Sequence, residues 1–182
     1  LRPAVASFKL QMYRDHTLMS QLVKFLLCFT LLGLLKAGLA FATPVSDGFH
    51  ANNFDPSIWT LVNPRGDAQF SIDQSSAQIV VSGGVSHDAW VDGIFTPRIM
   101  QAVTNSDIEI ITKFVSIPSE KNQLEGLMFV DSSGLILRFD AYSVGDATSL
   151  FVAAVGNGTA DVRYNNEISL EGPFYLKVAR VS

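Results

Sequence analysis

The chain has 182 residues, 13 Lys+Arg, 17 Asp+Glu, 48% hydrophobic residues and one cysteine. That length holds one ordinary domain and not two comfortable ones. The acidic balance of −4 argues against a nucleic-acid-binding surface, which needs clustered Lys and Arg, and a lone Cys28 excludes an internal disulfide.

The apolar excess is concentrated early. Met19-Ser-Gln-Leu-Val-Lys24 gives a short basic start, Phe25 to Leu35 is a short apolar run, and Ala40-Phe41-Ala42 precedes Thr43-Pro44. Basic start, apolar stretch and A-x-A site are the three parts of a secretory signal, so cleavage is expected after Ala42. The run is shorter than the roughly 20 residues that span a bilayer. Lys36 and Gly38 also speak against the rival reading, a membrane anchor. A lipoprotein signal needs small residues before its cysteine, and Leu26 and Leu27 stand there instead. Residues 1–42 are therefore read as leader and signal helix, with Leu1 to Leu18 upstream of the better start, and 43–182 as the mature domain. The cut removes five basic residues and Asp15, leaving 8 basic and 16 acidic side chains, a net of −8. Such a domain is expected to avoid both nucleic acid and anionic membrane surfaces.

Beyond Ser46 the sequence breaks into short runs rich in β-branched and aromatic residues, separated by Gly, Asn, Asp, Ser or Pro. They are 68–73, 77–82, 108–115, 124–130, 135–142, 149–155 and 174–180. Alternate side chains of a strand point to opposite faces. Leu135, Leu137, Phe139 and Ala141 are thus expected on the core face, with Ile136, Arg138, Asp140 and Tyr142 on a half-solvated one. Ile108, Ile110, Thr112 and Phe114 form a second row, opposite Glu109, Ile111, Lys113 and Val115. No sustained 3.6-residue stripe follows the signal. Many short strands joined by turns imply an all-β, two-sheet antiparallel sandwich or barrel.

Asp47-Gly-Phe and Phe54-Asp-Pro-Ser-Ile-Trp-Thr60 resemble the opening of concanavalin A-like and laminin G-like jelly rolls. In order, Asn63-Pro-Arg-Gly-Asp67, Ser86-His-Asp-Ala-Trp90, Pro97-Arg-Ile-Met-Gln101, Asp107-Ile-Glu-Ile, Gln123-Leu-Glu-Gly126, Leu137-Arg-Phe-Asp140 and Tyr175-Leu-Lys-Val-Ala-Arg180 follow. Together they resemble a bacterial family of secreted concanavalin A-like domains, often described only as of unknown function or by "regulation of enolase". The resemblance covers nearly all of 46–182. It implies a two-sheet jelly roll, usually one module of a larger extracellular protein, and it implies no reaction. Members of that family usually continue past the strand ending at Arg180 with a hairpin and a closing strand. A stop at Ser182 is expected to leave an open sheet edge.

Polar residues with binding chemistry gather at Ser86-His87-Asp88-Ala89-Trp90, with Arg98 and Gln101 near in sequence. His, Asp, Arg and Gln hydrogen-bond sugar hydroxyls, and Trp offers a flat face to a sugar ring. The cluster follows Gly83-Gly84 in an expected loop, where binding residues concentrate. The competing reading is structural, with Arg98 pairing Asp88 and Trp90 filling the core. Trp59 is expected in the core. Asp107 and Glu109 stand two apart on an expected strand, an arrangement retaining glycoside hydrolases use for acid and nucleophile. The third carboxylate of that motif is missing, and Lys113 is placed to neutralise Glu109.

No cofactor is implied, although calcium has candidate oxygen ligands in Asp67, Asp73, Asp131, Asp140 and Asp146. Asp131-Ser-Ser-Gly134 and Gly145-Asp146 read first as turns. Asn157-Gly-Thr159 is both a glycosylation acceptor and a hairpin turn. His50 and His87 are too dispersed for zinc. The expectation is a secreted, non-catalytic module that binds extracellular carbohydrate or another surface ligand. A glycoside hydrolase using Asp107 and Glu109, and an adhesion module without a groove, are the alternatives.

Overall fold

The computed structural model describes residues 4–7, 10–14, 43–104 and 106–181. Among them lie fourteen strands and no helix. They are β1 (Ala4–Ser7), β2 (Leu10–Arg14), β3 (Thr60–Val62), β4 (Ala68–Asp73), β5 (Ser76–Val81), β6 (Ala89–Trp90) and β7 (Gly93–Ile94), then β8 (Arg98–Ala102), β9 (Ile108–Phe114), β10 (Leu124–Asp131), β11 (Ile136–Ser143), β12 (Thr148–Gly156), β13 (Thr159–Ile168) and β14 (Phe174–Arg180). One sheet has seven strands in the order β13-β12-β11-β10-β2-β8-β3, and β1-β5-β4, β14-β9 and β6-β7 form smaller ones. All seven strand runs expected from the sequence are present. The expected signal helix lies outside the described residues, among which no helix is long and apolar enough to cross a membrane.

Turn chemistry sets the hairpins. Asn157 and Gly158, at φ 53° and 72°, join β12 to β13, with Gly156 opposite Thr159. Two consecutive left-handed residues match the right-handed twist of the flanking strands. Gln74 and Ser75 (φ 48° and 62°) turn β4 into β5 in the same way, without a glycine. Between β10 and β11, Asp131 Oδ1 accepts from Ser133 N, Ser133 Oγ and Leu135 N, and Gly134 takes φ 84°. That is the turn read from Asp131-Ser-Ser-Gly134.

Pairing is antiparallel throughout the described residues except at β2, which runs parallel to β8 on one side and to β10 on the other. Both β1 and β2 come from the segment read as leader, and β1 pairs with β5.

The core has three parts. Trp59, Ile79, Ile99 and Phe114 bring β5, β8 and β9 together, and Phe114 stacks on Phe174 at 5.1 Å. Burying a side chain of that size stabilises by roughly 2–3 kcal/mol. Leu127 and Ile110, with Phe129, Phe139, Leu176 and Val178, seat the β9–β14 pair on one face of the large sheet. On the opposite face Met128, Val130, Ile136, Ala153 and Val155 pack under the β6–β7 hairpin through Ala89, Trp90 and Ile94. The molecule is thus all-β and layered, as a sandwich requires.

The Ile108, Ile110, Thr112 and Phe114 row points inward as expected. The β11 row is kept only at Phe139 and Ala141. Leu135 and Leu137 are 41% and 39% exposed, whereas Ile136, Arg138 and Asp140 are 1%, 2% and 0%. Two opposite charges that neutralise each other can enter a core that neither could enter alone. The leucine end of β11 lies beyond the reach of the two-stranded β9–β14 cover, while Phe139 and Ala141 lie under or near it and are shielded.

Candidate functional site

The loop from Ser82 to Asp88 and the segment from Ser116 to Glu125, which runs into β10, both line a cavity of about 570 Å³. Ile79 and Val81 form apolar wall, and Tyr142 of β11 closes one side.

The 86–88 backbone is held from several directions. Arg65 Nε donates to Ser86 O at 2.7 Å while its guanidinium lies 4.2 Å from the Phe95 ring centre. Thr96 Oγ1 donates to His87 O at 2.7 Å, and Phe95 N donates to Asp88 O at 2.8 Å. His87 Nε2 meets both oxygens of Asp67, at 2.9 and 3.0 Å. These bonds fix where His87 and Asp88 enter the cavity wall before any ligand arrives.

The hydrogen bond from His87 holds the Asp67 carboxyl below its usual range, against an upward push from desolvation. A depressed carboxylate pKa adds stability that is present above the unfolded value of about 3.8 and is lost as pH falls through the lower folded value. Asp67→Asn is therefore expected to flatten the acid limb of the melting temperature below about pH 5. Differential scanning fluorimetry from pH 7 to pH 3 checks this; an acid limb identical to wild type counts against the pair.

Asp88 leads to a residue that sequence reasoning missed. Its Oδ1 accepts from Ala89 N and from Arg138 Nη1, both at 2.7 Å. Arg138 rises from β11, donates also to Ala89 O at 2.6 Å and pairs through Nε with Asp140. Its guanidinium lies 5.4 Å from the Phe151 ring centre and 5.9 Å from that of Trp90, within cation–π range. Burial pulls its pKa down, but Asp140 and Asp88 outweigh burial and the net direction is up. Arg138 takes the partner the sequence had offered to Arg98.

Arg98 donates through Nη1 to Thr96 O at 2.9 Å, and burial brings its pKa down to about 10. It therefore braces the cavity rim from behind. Trp90 packs beside Phe151 with ring centres 6.0 Å apart, and Phe151 beside Tyr142 at 6.2 Å. Trp90 thus reaches the cavity only through its neighbours. Gln101 is elsewhere. It is 5% exposed and clamps Val45 twice, accepting from its N and donating to its O, each at 2.8 Å. Trp59 is in the core as expected, its Nε1 donating to Asp47 Oδ2 at 2.7 Å.

Two further cavity residues escaped sequence reading. Glu125 is 2% exposed, and its Oε2 accepts from Ser116 Oγ at 3.0 Å. Tyr142 donates its hydroxyl to Asn122 Oδ1 at 3.0 Å. Glu125 stands in a strand whose neighbours are apolar, the one available signal for a carboxylate with a specific role.

Asp107 is exposed just ahead of β9, and Glu109 faces outward on it. Glu109 pairs with Lys177 of β14 at 2.8 Å, replacing the expected Lys113. Both side chains are more than half exposed, and exposed pairs contribute about 0–1 kcal/mol. Glu109→Gln is expected to change stability by less than about 0.5 kcal/mol and to leave ligand binding untouched; urea titration and a binding isotherm check both. Among the described residues no group of three His, Cys, Asp or Glu is arranged to hold a metal ion. Of the calcium candidates, Asp67, Asp131 and Asp140 are engaged by His87, a turn and Arg138.

Set against family models, curated proteins and solved structures, the chain matches none.

Proposed function

We propose that the domain is a secreted, non-catalytic module of the jelly-roll type that binds extracellular carbohydrate, or a surface ligand of like chemistry, in the cavity beside His87 and Asp88. The observation that carries this reading is the cavity itself. At about 570 Å³ it falls within the range of small-ligand sites, and it combines apolar wall with a few fixed polar groups. A sugar unit asks for that mixture, since its ring faces are apolar and its edges carry hydroxyls. The motif series running from Asp47 to Arg180 supports the jelly roll and the three-part signal ending at Ala42 supports secretion, with β1 and β2 on the removed side of that cut. The exposed, Lys177-paired Glu109 supports no acid–nucleophile pair. A groove-less adhesion module is disfavoured because a cavity exists where the polar cluster sits.

The test is a glycan array and polysaccharide retention on the full chain. Retention of at least one glycan class is expected, with Asp88→Ala weakening it by about tenfold, the loss of one charge-assisted hydrogen bond. Absence of retention by protein shown to be folded would overturn the reading.

A further inference from the structure

The cavity's charge deepens that reading, on which the following rests. Among its described lining residues are two carboxylates, Asp88 and Glu125, and no Lys or Arg. Two cations stand behind its wall: Arg138, shared between Asp88 and Asp140, and Arg98, which bonds Thr96 O. Asp88, Asp140 and Glu125 set against Arg138 and Arg98 leave a local charge of −1. Asp140 is fully buried, while the Asp88 side chain is 42% exposed. The two bonds to Asp88 both end on Oδ1, so Oδ2 is available as an acceptor at the cavity wall. His87 is turned to Asp67, and Tyr142 to Asn122.

The charged groups that line the cavity are therefore carboxylates, and a cationic donor on the ligand complements them. A uronic acid brings a carboxylate against Asp88 and is repelled. A neutral hexose can bond Oδ2 but leaves the charge uncompensated. A protonated amine on a sugar ring does both, because a charge-assisted N–H to carboxylate bond is roughly twice as strong as a neutral one. We propose that the cavity selects an amino sugar with a free amine, the ammonium group binding Asp88 Oδ2 and the ring lying against the apolar wall.

The experiment is isothermal titration of the full chain with four short oligosaccharides: glucosamine, N-acetylglucosamine, glucose and galacturonate oligomers. The glucosamine oligomer is expected to bind about tenfold tighter than its N-acetylated counterpart. Asp88→Asn, which keeps the bonds to Ala89 and Arg138 but removes the charge, is expected to abolish that preference. Asp161→Asn, the same charge change on an exposed strand, is expected to leave it intact, which separates site binding from attraction of a polycation to an acidic protein. Equal binding of acetylated or neutral oligomers overturns the amine preference and leaves the carbohydrate-binding reading standing. Loss of the preference in Asp161→Asn also overturns the amine assignment. No binding of any oligomer by folded protein overturns both.

Discussion

Replacing Arg138 with methionine is expected to destabilise the domain by about 3–5 kcal/mol, the range found when one member of a buried ion pair is removed. The side chain of Arg138 is 3% exposed and that of Asp140 0%, so the substitution takes the guanidinium from a carboxylate that water cannot reach. Two further losses accompany it, the bond to Ala89 O and the bond to Asp88 Oδ1, which together tie β11 to the β6–β7 hairpin. Arg138→Lys is expected to recover only part, since an ammonium cannot reproduce the fork that meets Asp140 through Nε and Asp88 through Nη1. Arg138→Met combined with Asp140→Leu is expected to be more stable than Arg138→Met alone, because no buried charge is left unpaired. Urea denaturation of the three variants checks the order; equal stability of wild type and Arg138→Met would show that the network carries no weight.

Gly126→Ala is expected to cost about 3 kcal/mol, at the upper end of what overpacking does. Gly126 lies in β10 opposite Asp140. A Cβ there would collide with the Phe139 carbonyl oxygen and sit 2.7 Å from Asp140 Cα and 2.8 Å from Asp140 Oδ1. The obstructing atoms are largely backbone, so no rotamer change relieves them. Substituting Gly172, around which nothing lies within 4 Å, is the control and is expected to stay within about 0.5 kcal/mol of wild type. Both values come from the same denaturation series, and indifference at position 126 would mean that β10 and β11 are not this closely apposed.

The legible parts of the fold were those with alternation and turn chemistry. β9 alternates Ile108, Ile110, Thr112 and Phe114 with Glu109, Ile111 and Lys113, and the structure turns the first row inward as expected. β13 was missed because its exposed side chains, from Asp161 to Glu167, give no apolar alternation at an edge. β3, β6 and β7 are two or three residues long, too short for any periodicity to register. On β11 the expected core row is shielded only at Phe139 and Ala141, and the opposite row is buried too, at Ile136, Arg138 and Asp140, since a period-two rule counts Arg138 and Asp140 as two polar residues when in space they act as one neutral pair. At the candidate site, His87 and Asp88 were legible as a polar pair in a glycine-led loop. Arg138 was not, because it stands 50 positions from Asp88 and only the pairing of β10, β11 and β12 brings it beneath the hairpin. Gln101 was near in sequence and distant in space, its amide diverted to hold Val45.

The position of Leu10–Arg14 has a consequence for assembly. β10 to β13 are joined by successive turns and can form from local contacts, and β3 needs only to meet β8. Among the described residues these two groups are joined in the sheet through β2, which sets Leu10 opposite both Leu127 and Ile99. Closing that gap requires contacts across roughly a hundred residues, the kind that forms slowly. A protease acting between Arg14 and Thr60 would turn this strand from a covalent part of the chain into a bound peptide, whose residence would then follow concentration and mass action.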